Sequence, residues 1–359
     1  ALLYFEVVTT LALVVGLVVV NLVRPGDGLP LDLTATMGEA VAKTKPSGWD
    51  IALHLFPSNL AKHAYEGDIL PIVVFAVLFG VALVHVGEKG RPVMAFCEGV
   101  AETMFAYTGY ITKLTPIGVF GAMAYNVSHM AAGHRLPGGE EIRGWGAVAY
   151  LLVRYARLVG SMYLALIVFV LVVLVPVMLI AKVPIARFAR AIREPVVTAF
   201  STASSEAALP RLLERVVELG VPRRVASFVI PAGYSFNLDG STLYLVLASV
   251  SIAQAAGIHM PIGSQIVMML VFMLTSKGVA GVPRATLVII AATCHGFGLP
   301  GEAGVAMLLA VDEVMDMART AVNVLGNGLA SVVIARWEGV FESEGGAPPA
   351  GSSEDSPRG

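Results

Sequence analysis

The run AVDEVMDMARTAVNVLGNGLASVVIA, from Ala310 to Ala335, has the length and apolar content of a membrane-spanning helix, yet carries two aspartates and an arginine. Each such charge costs about 2.5–3.5 kcal/mol at the bilayer centre on insertion scales, so a chain retains them there only for use. Asp312, Asp316, Arg319, Asn323 and Asn327 step by 4, 3, 4 and 4 residues and fall in one stripe at helical periodicity. The helix therefore has a single polar face, and something polar must sit against it.

Composition sets the class: 56% of the 359 residues are hydrophobic and 14% charged, against about 25% charged in an ordinary soluble protein. The expectation is an all-α polytopic membrane protein. Cys97 and Cys294 lie in apolar stretches without a CxxC partner, so both read as small core residues rather than disulfide or zinc partners. A net charge of −2 and no basic cluster with interleaved aromatics argue against nucleic acid. The first residues, ALLYFEVVTTLALVVGLVVVNLV, read as a span without a charged leader, and an opening on Ala1 suggests an upstream piece.

Stretches Phe5–Val23, Leu70–Val86, Val93–Tyr125, Ala147–Ile180 and Val225–Gln254 are long and apolar enough to span. Arg24–Gly67 and Ser128–Gly144 read as loops. Two later segments, Pro195–Leu219 and Ile262–Gly298, are interrupted by TASSE at Thr202–Glu206 and by SKGVAGVP at Ser276–Pro283. Each arm is too short to cross alone, which predicts two re-entrant helical hairpins. After each hairpin comes a long helix with a polar interruption, FNLDGST at Phe236–Thr242 and then the charged stripe. That order is expected of inverted repeats around a midplane binding site.

The division is a spanning helix over 1–23, an extracellular loop region over 24–67, and scaffold and transport-domain helices over 68–181. A first hairpin with its broken helix occupies 193–256, a second hairpin with the charged helix 262–337, and a disordered tail 338–359. Lys89, Arg91, Lys182, Arg187, Arg190, Arg193, Arg211, Arg215, Arg223 and Arg224 lie on one side in this topology, which is then cytoplasmic. The C-terminus falls on that side too.

Irregular backbone at Asn237–Ser241 needs partners at membrane depth: a cation, a proton-linked water or substrate, with Asp239 supplying charge. Alternatively Asp239 pins the broken helix. Arg319 offers a planar fork for a carboxylate and Asp316 the opposite charge for an ammonium. The competing reading is an internal Asp316–Arg319 ion pair, against which stands a second acid, Asp312, left unpaired. Ser204 and Ser205 at the first hairpin tip are candidate carboxylate contacts at a half-helix end. A buried Glu206 would have a raised pKa and carry a proton; otherwise it is a solvated side chain. The seven histidines, from His54 to His295, show no ligand spacing. An intramembrane enzyme with Asp312 and Asp316 as its acid pair is disfavoured, since same-helix spacing beside Arg319 suits binding better.

These motifs resemble the dicarboxylate/amino acid:cation symporters, the family of the glutamate transporters, over essentially the whole chain. YSFNLDGST at Tyr234–Thr242 is similar to the family's unwound seventh helix, SSEAALP at Ser204–Pro210 to its first hairpin tip, SKGVAGVP to its second, and DMARTAVNVLGN at Asp316–Asn327 to its eighth helix. The resemblance implies a homotrimer in a bacterial inner membrane, each protomer having a scaffold and an elevator-like transport domain, with no resident cofactor. By position, Arg319 takes a substrate side-chain carboxylate and Asp316 its amino group, with Thr320, Asn323, Ser204, Ser205, Ser241 and the backbone at Val282 completing the pocket. Asn237, Asp239, Asp312, Asn327 and Glu206 are the ion or proton residues, and Ser276, Gly278, Gly281 and Pro283 form the gate. Retention of Arg319 and Asp316 implies an acidic amino acid, glutamate or aspartate, rather than a C4-dicarboxylate.

Three positions depart from sodium-coupled relatives, which carry aspartate for Asn327, methionine for Leu238 and serine for Glu206. Loss of a hard carboxylate ligand weakens a sodium site. The resemblance is therefore nearest to bacterial proton–glutamate symporters, with a sodium-coupled glutamate/aspartate symporter or a C4-dicarboxylate symporter as the alternative. Arg284 stands where relatives usually have glycine. The family has eight spans, and the first here resembles the third.

Overall fold

A computed structural model describes residues 1–29, 31, 59–66, 69–135, 141–278 and 285–341. The first helix, α1, spans Leu2–Val23, and α2 is the short Leu60–Glu66 near the end of the expected extracellular loop. Helices α3 (Ile69–Val86), α4 (Arg91–Thr112) and α5 (Thr115–Ala132) follow, then a two-stranded ribbon pairing β1 (His134–Arg135) with β2 (Glu141–Ile142). Val93–Tyr125 is thus two helices and not one span. Pro116 accounts for the division, because a residue with no N–H fits the first turn of a new helix but not the interior of an old one.

Helix α6 (Gly144–Phe169) runs through a π turn at Val170–Leu174 into α7 (Val175–Ile180), giving a continuous helix of 37 residues. Pro176 sits at the start of α7, and its missing N–H accounts for the widened turn. At about 1.5 Å per residue that helix exceeds the bilayer's hydrocarbon thickness and must tilt or project beyond it.

The first hairpin is α8 (Ile185–Thr202) and α9 (Ser205–Glu218), antiparallel and packed together across a one-residue reversal at Ala203, whose φ of 47° is left-handed. Helix α10 (Arg223–Phe236) ends at the polar interruption and α11 (Asp239–Ala255) resumes beyond it. The second interrupted segment begins with α12 (Ile262–Thr275), continues as a 3-10 turn at Ser276–Gly278, and returns as α13 (Ala285–Gly296). Val282, Gly281, Pro283 and Arg284 lie outside the described residues, as does the tail beyond 341. Helix α14 (Gly301–Leu309) precedes α15 (Asp312–Trp337), so the charged run begins two residues later than the sequence suggested, with a break at Ala310 and Val311. Asp312 consequently lies in the first turn, at the positive end of the helix dipole.

The centre of the molecule is α11 against α15. Every residue from Asp239 to Ala253 is buried, polar ones included, as expected of a helix covered on all sides. Around the pair stand α1, which packs most extensively on α11, and α6, α8, α9 and α10. Glycines set the approach. A Cβ on Gly240 would lie 2.4 Å from the Arg319 carbonyl oxygen, so only glycine lets α11 touch the α15 backbone there.

By contrast, α3 and α4 are peripheral. Every described side chain of α4 is exposed, and α3 turns Phe75, Phe79 and Val84 outward. Cys97, expected in the core, is exposed on α4 for this reason, whereas Cys294 on α13 is buried.

Candidate functional site

At the junction of α10 and α11, Asn237 (φ −128°, ψ 56°) and Leu238 (φ −94°, ψ 59°) leave helical geometry, which frees backbone groups at the middle of a 33-residue apolar run. Asn323 of α15 satisfies two of them. Its Oδ1 accepts the N–H of Gly240 at 2.8 Å and of Ser241 at 3.3 Å, while its Nδ2 donates to Ser241 Oγ at 2.9 Å. One amide thus caps α11 from a neighbouring helix, replacing the local N-cap that Leu238 lacks.

A turn further along α15, Asn327 Oδ1 accepts from Asn237 Nδ2 at 3.2 Å, in a gap held open by Gly233, whose Cβ would fall 2.2 Å from that oxygen. Asp239 is fully buried; its Oδ1 accepts the Thr9 hydroxyl of α1 at 3.2 Å. Asp239 Oδ2, Asn237 Oδ1 and Asn327 Nδ2 have no hydrogen-bond partner among the described residues. Buried polar atoms in this condition call for a water, ion or ligand. Two oxygens and one amide N–H form a small polar nest beside Gly326, where a Cβ would sit 2.7 Å from Asp239 Oδ2.

The other cluster lies toward the N-terminus of α15. Arg319, 2% exposed, stacks over the Tyr244 ring at 4.4 Å and donates from Nε to Asp316 Oδ1 at 2.8 Å. Thr320 donates to the same oxygen at 2.9 Å. The internal Asp316–Arg319 pair is therefore formed. Asp312 is not left over beside it, because it accepts the Tyr244 hydroxyl at 2.8 Å and stands 3.7 Å from Arg319 Nη1. Tyr244 is 68 residues from Asp312, so no local pattern announces the contact. Arg319 Nη1 makes no hydrogen bond among the described residues and is a spare charged donor. Asp316 is 16% exposed, the least enclosed of the three charges.

The first hairpin tip packs on α10. Ser204 caps α9, accepting the Ala207 N–H at 3.3 Å, and the Ser205 carbonyl accepts the Tyr234 hydroxyl of α10 at 2.8 Å. Their described bonds are to the hairpin itself and to Tyr234. Of the two readings left open for Glu206, the solvated one is found: it is exposed, because the first turn of α9 points Ala208 inward and Glu206 away. Ser276 is buried at the end of α12, and Gly278 closes the 3-10 turn. Sequence reasoning passed over Thr9, Tyr244 and Lys277; the only signal for Thr9 was a polar TT pair inside an apolar span.

Residues 1–337 match the sodium:dicarboxylate symporter family. The chain belongs to that family. Similar curated proteins include a proton/sodium-glutamate symport protein of Geobacillus stearothermophilus, 39% identical over 96% of this chain and 79% of its own length. The proton/sodium-glutamate symport protein of Bacillus subtilis (strain 168) is 39% identical over 94% and 76% respectively. A C4-dicarboxylate transport protein of Laribacter hongkongensis is 40% identical over 96% and 75%. Membership of the sodium:dicarboxylate symporter family agrees with the all-α architecture and with the helices, Leu2–Val23 and Gly144–Ile180 among them, that are long and apolar enough to cross a membrane. The protein is a membrane transporter with bacterial relatives.

Proposed function

We propose that this transporter imports glutamate or aspartate together with protons. The observation that carries the substrate reading is the buried Arg319, whose Nη1 has no hydrogen bond among the described residues and whose neighbour Asp316 is partly open. A side-chain carboxylate on the guanidinium and an α-ammonium on Asp316 satisfy both charges at once, with Thr320 Oγ1 beside them. A succinate-like substrate has no ammonium for Asp316. The similar identity to C4-dicarboxylate transport proteins favours that second reading and makes it the competitor to test.

Proton coupling rests on the nest at the helix break. Asp239 is its one carboxylate, and its neighbours Asn237 and Asn327 are neutral amides. A proton needs a single carboxylate, whereas a hard cation is held best by several oxygens with enough negative charge. Asp239 and Asp312 are the proton-carrying candidates in this reading, and the exposed Glu206 is not needed. The thinly packed α3, α4 and α5 supply the scaffold of a homotrimer. The dense remainder around α11 and α15 moves as an elevator in a bacterial plasma membrane, with the C-terminus cytoplasmic.

Uptake of labelled glutamate and aspartate into proteoliposomes tests this, first under an inward pH gradient without sodium, then under a sodium gradient at uniform pH. Uptake is expected on the proton gradient alone, with weak competition by succinate. A strict sodium requirement would remove proton coupling, and dominant competition by succinate would replace the amino acid. Asn327→Asp, which adds a second carboxylate beside Asn237, is expected to bring in sodium dependence in the same assay.

A further inference from the structure

Lys277, in the 3-10 turn after α12, reaches to the end of α10 and to the face of α1. Its Nζ lies 3.0 Å from the carbonyl oxygen of Phe236, the last residue of α10, and 2.9 Å from Glu6 Oε1 on α1. The same ammonium stands 6.0 Å from the centre of the Phe236 ring, and the lysine side chain is only 19% exposed.

The surroundings are those of a monovalent cation seat. The last carbonyls of α10 have no intrahelical donors, and the helix dipole places about half a negative charge at that end. Glu6 adds a full negative charge within an apolar span. A carbonyl, a carboxylate and an aromatic face arranged around one point suit a small cation as well as an ammonium.

We infer that Lys277 is a resident cation: its ammonium fills a seat at the helix break that a free monovalent cation would otherwise take. It is a positioning residue, tying α12 to α10 and α1 without drawing an ion from solution. The inference does not depend on which ion drives transport. It differs from a plain salt bridge in one respect, because an emptied seat must bind a cation of suitable size, whereas a broken salt bridge only loses stability.

The test uses the complete chain in detergent, with thermal unfolding midpoints measured in choline buffer titrated with sodium, potassium or ethylammonium at constant ionic strength. Lys277→Ala is expected to have a lowered midpoint that rises saturably with one of these cations, beyond any response of the wild type, since a ligand that binds only the folded state stabilises it. Lys277→Gln keeps a donor for the Phe236 carbonyl but leaves the Glu6 charge unmatched, and should show a smaller gain of the same kind, which covers the case of an alanine variant that does not fold. Adding Glu6→Gln to either variant should abolish the response. Variants that follow the wild type in all three titrations would overturn the inference, as would a response that survives Glu6→Gln. A sodium response already present in the wild type would count against proton coupling and leave this comparison intact.

Discussion

Arg319→Cys is expected to abolish glutamate and aspartate uptake and to leave a site that accepts a neutral amino acid. The guanidinium is the one cation buried between Asp312 and Asp316 in this cluster, with its Nε on Asp316 at 2.8 Å and its Nη1 3.7 Å from Asp312. Cysteine removes the partner for a substrate side-chain carboxylate and opens room above Tyr244, while Asp316 remains available to an α-ammonium. Breaking a buried pair costs roughly 3–5 kcal/mol because an uncompensated charge stays behind. Part of that loss should return when a cationic group of a bound amino acid reaches Asp316. Two measurements separate function from folding: binding of labelled glutamate and of a neutral amino acid, and the unfolding midpoint with and without each. Arg319→Lys keeps the charge without the fork and should bind glutamate weakly rather than not at all. Unchanged glutamate affinity in Arg319→Cys would remove the arginine from the pocket and with it the acidic-substrate reading.

The apolar helices other than the divided Val93–Tyr125, the hairpin at TASSE and the break at FNLDGST were legible because each is written locally, as an apolar run or as small polar residues interrupting one. The same holds for the stripe from Asp312 to Asn327, where helical spacing alone assembles one polar face. What sequence could not supply was the partner of each polar group. Asn323 read as a substrate ligand, yet its amide caps α11 through Gly240 and Ser241, some 80 residues away. Asp312 read as a lone acid because Tyr244 reaches it only once α11 and α15 are packed. Cys97 was misplaced for a related reason, and Glu206 could not be placed at all. Their own windows are small and apolar, and exposure depends on which neighbours a helix turn or a peripheral helix acquires. Burial is a property of packing, and in a membrane chain nearly every stretch is apolar enough to be mistaken for core.

Gly240→Ala should be strongly destabilising and should silence transport with it. The added Cβ would stand 2.4 Å from the Arg319 carbonyl oxygen and 2.9 Å from its Cα, and backbone in the middle of a helix has no rotamer with which to withdraw. Helices α11 and α15 must separate, at or above the upper end of the roughly 1–3 kcal/mol typical of overpacking. Separation also stretches the Asn323 bonds to the Gly240 and Ser241 N–H groups, which cap α11 where Leu238 cannot. Loss of such a cap adds about 0.5–2 kcal/mol. The displacement falls on the residue that carries Arg319, so the guanidinium moves off Tyr244 and away from Asp316. Gly160→Ala on α6 is the matched control: a Cβ there meets nothing within 4 Å, and alanine in a helix interior gains about 0.5–1 kcal/mol over glycine. Unfolding midpoints in detergent and glutamate uptake in proteoliposomes read both variants. A Gly240→Ala protein that unfolds and transports like the wild type would show that α11 and α15 do not meet backbone to backbone, and that Asn323 is free for another role.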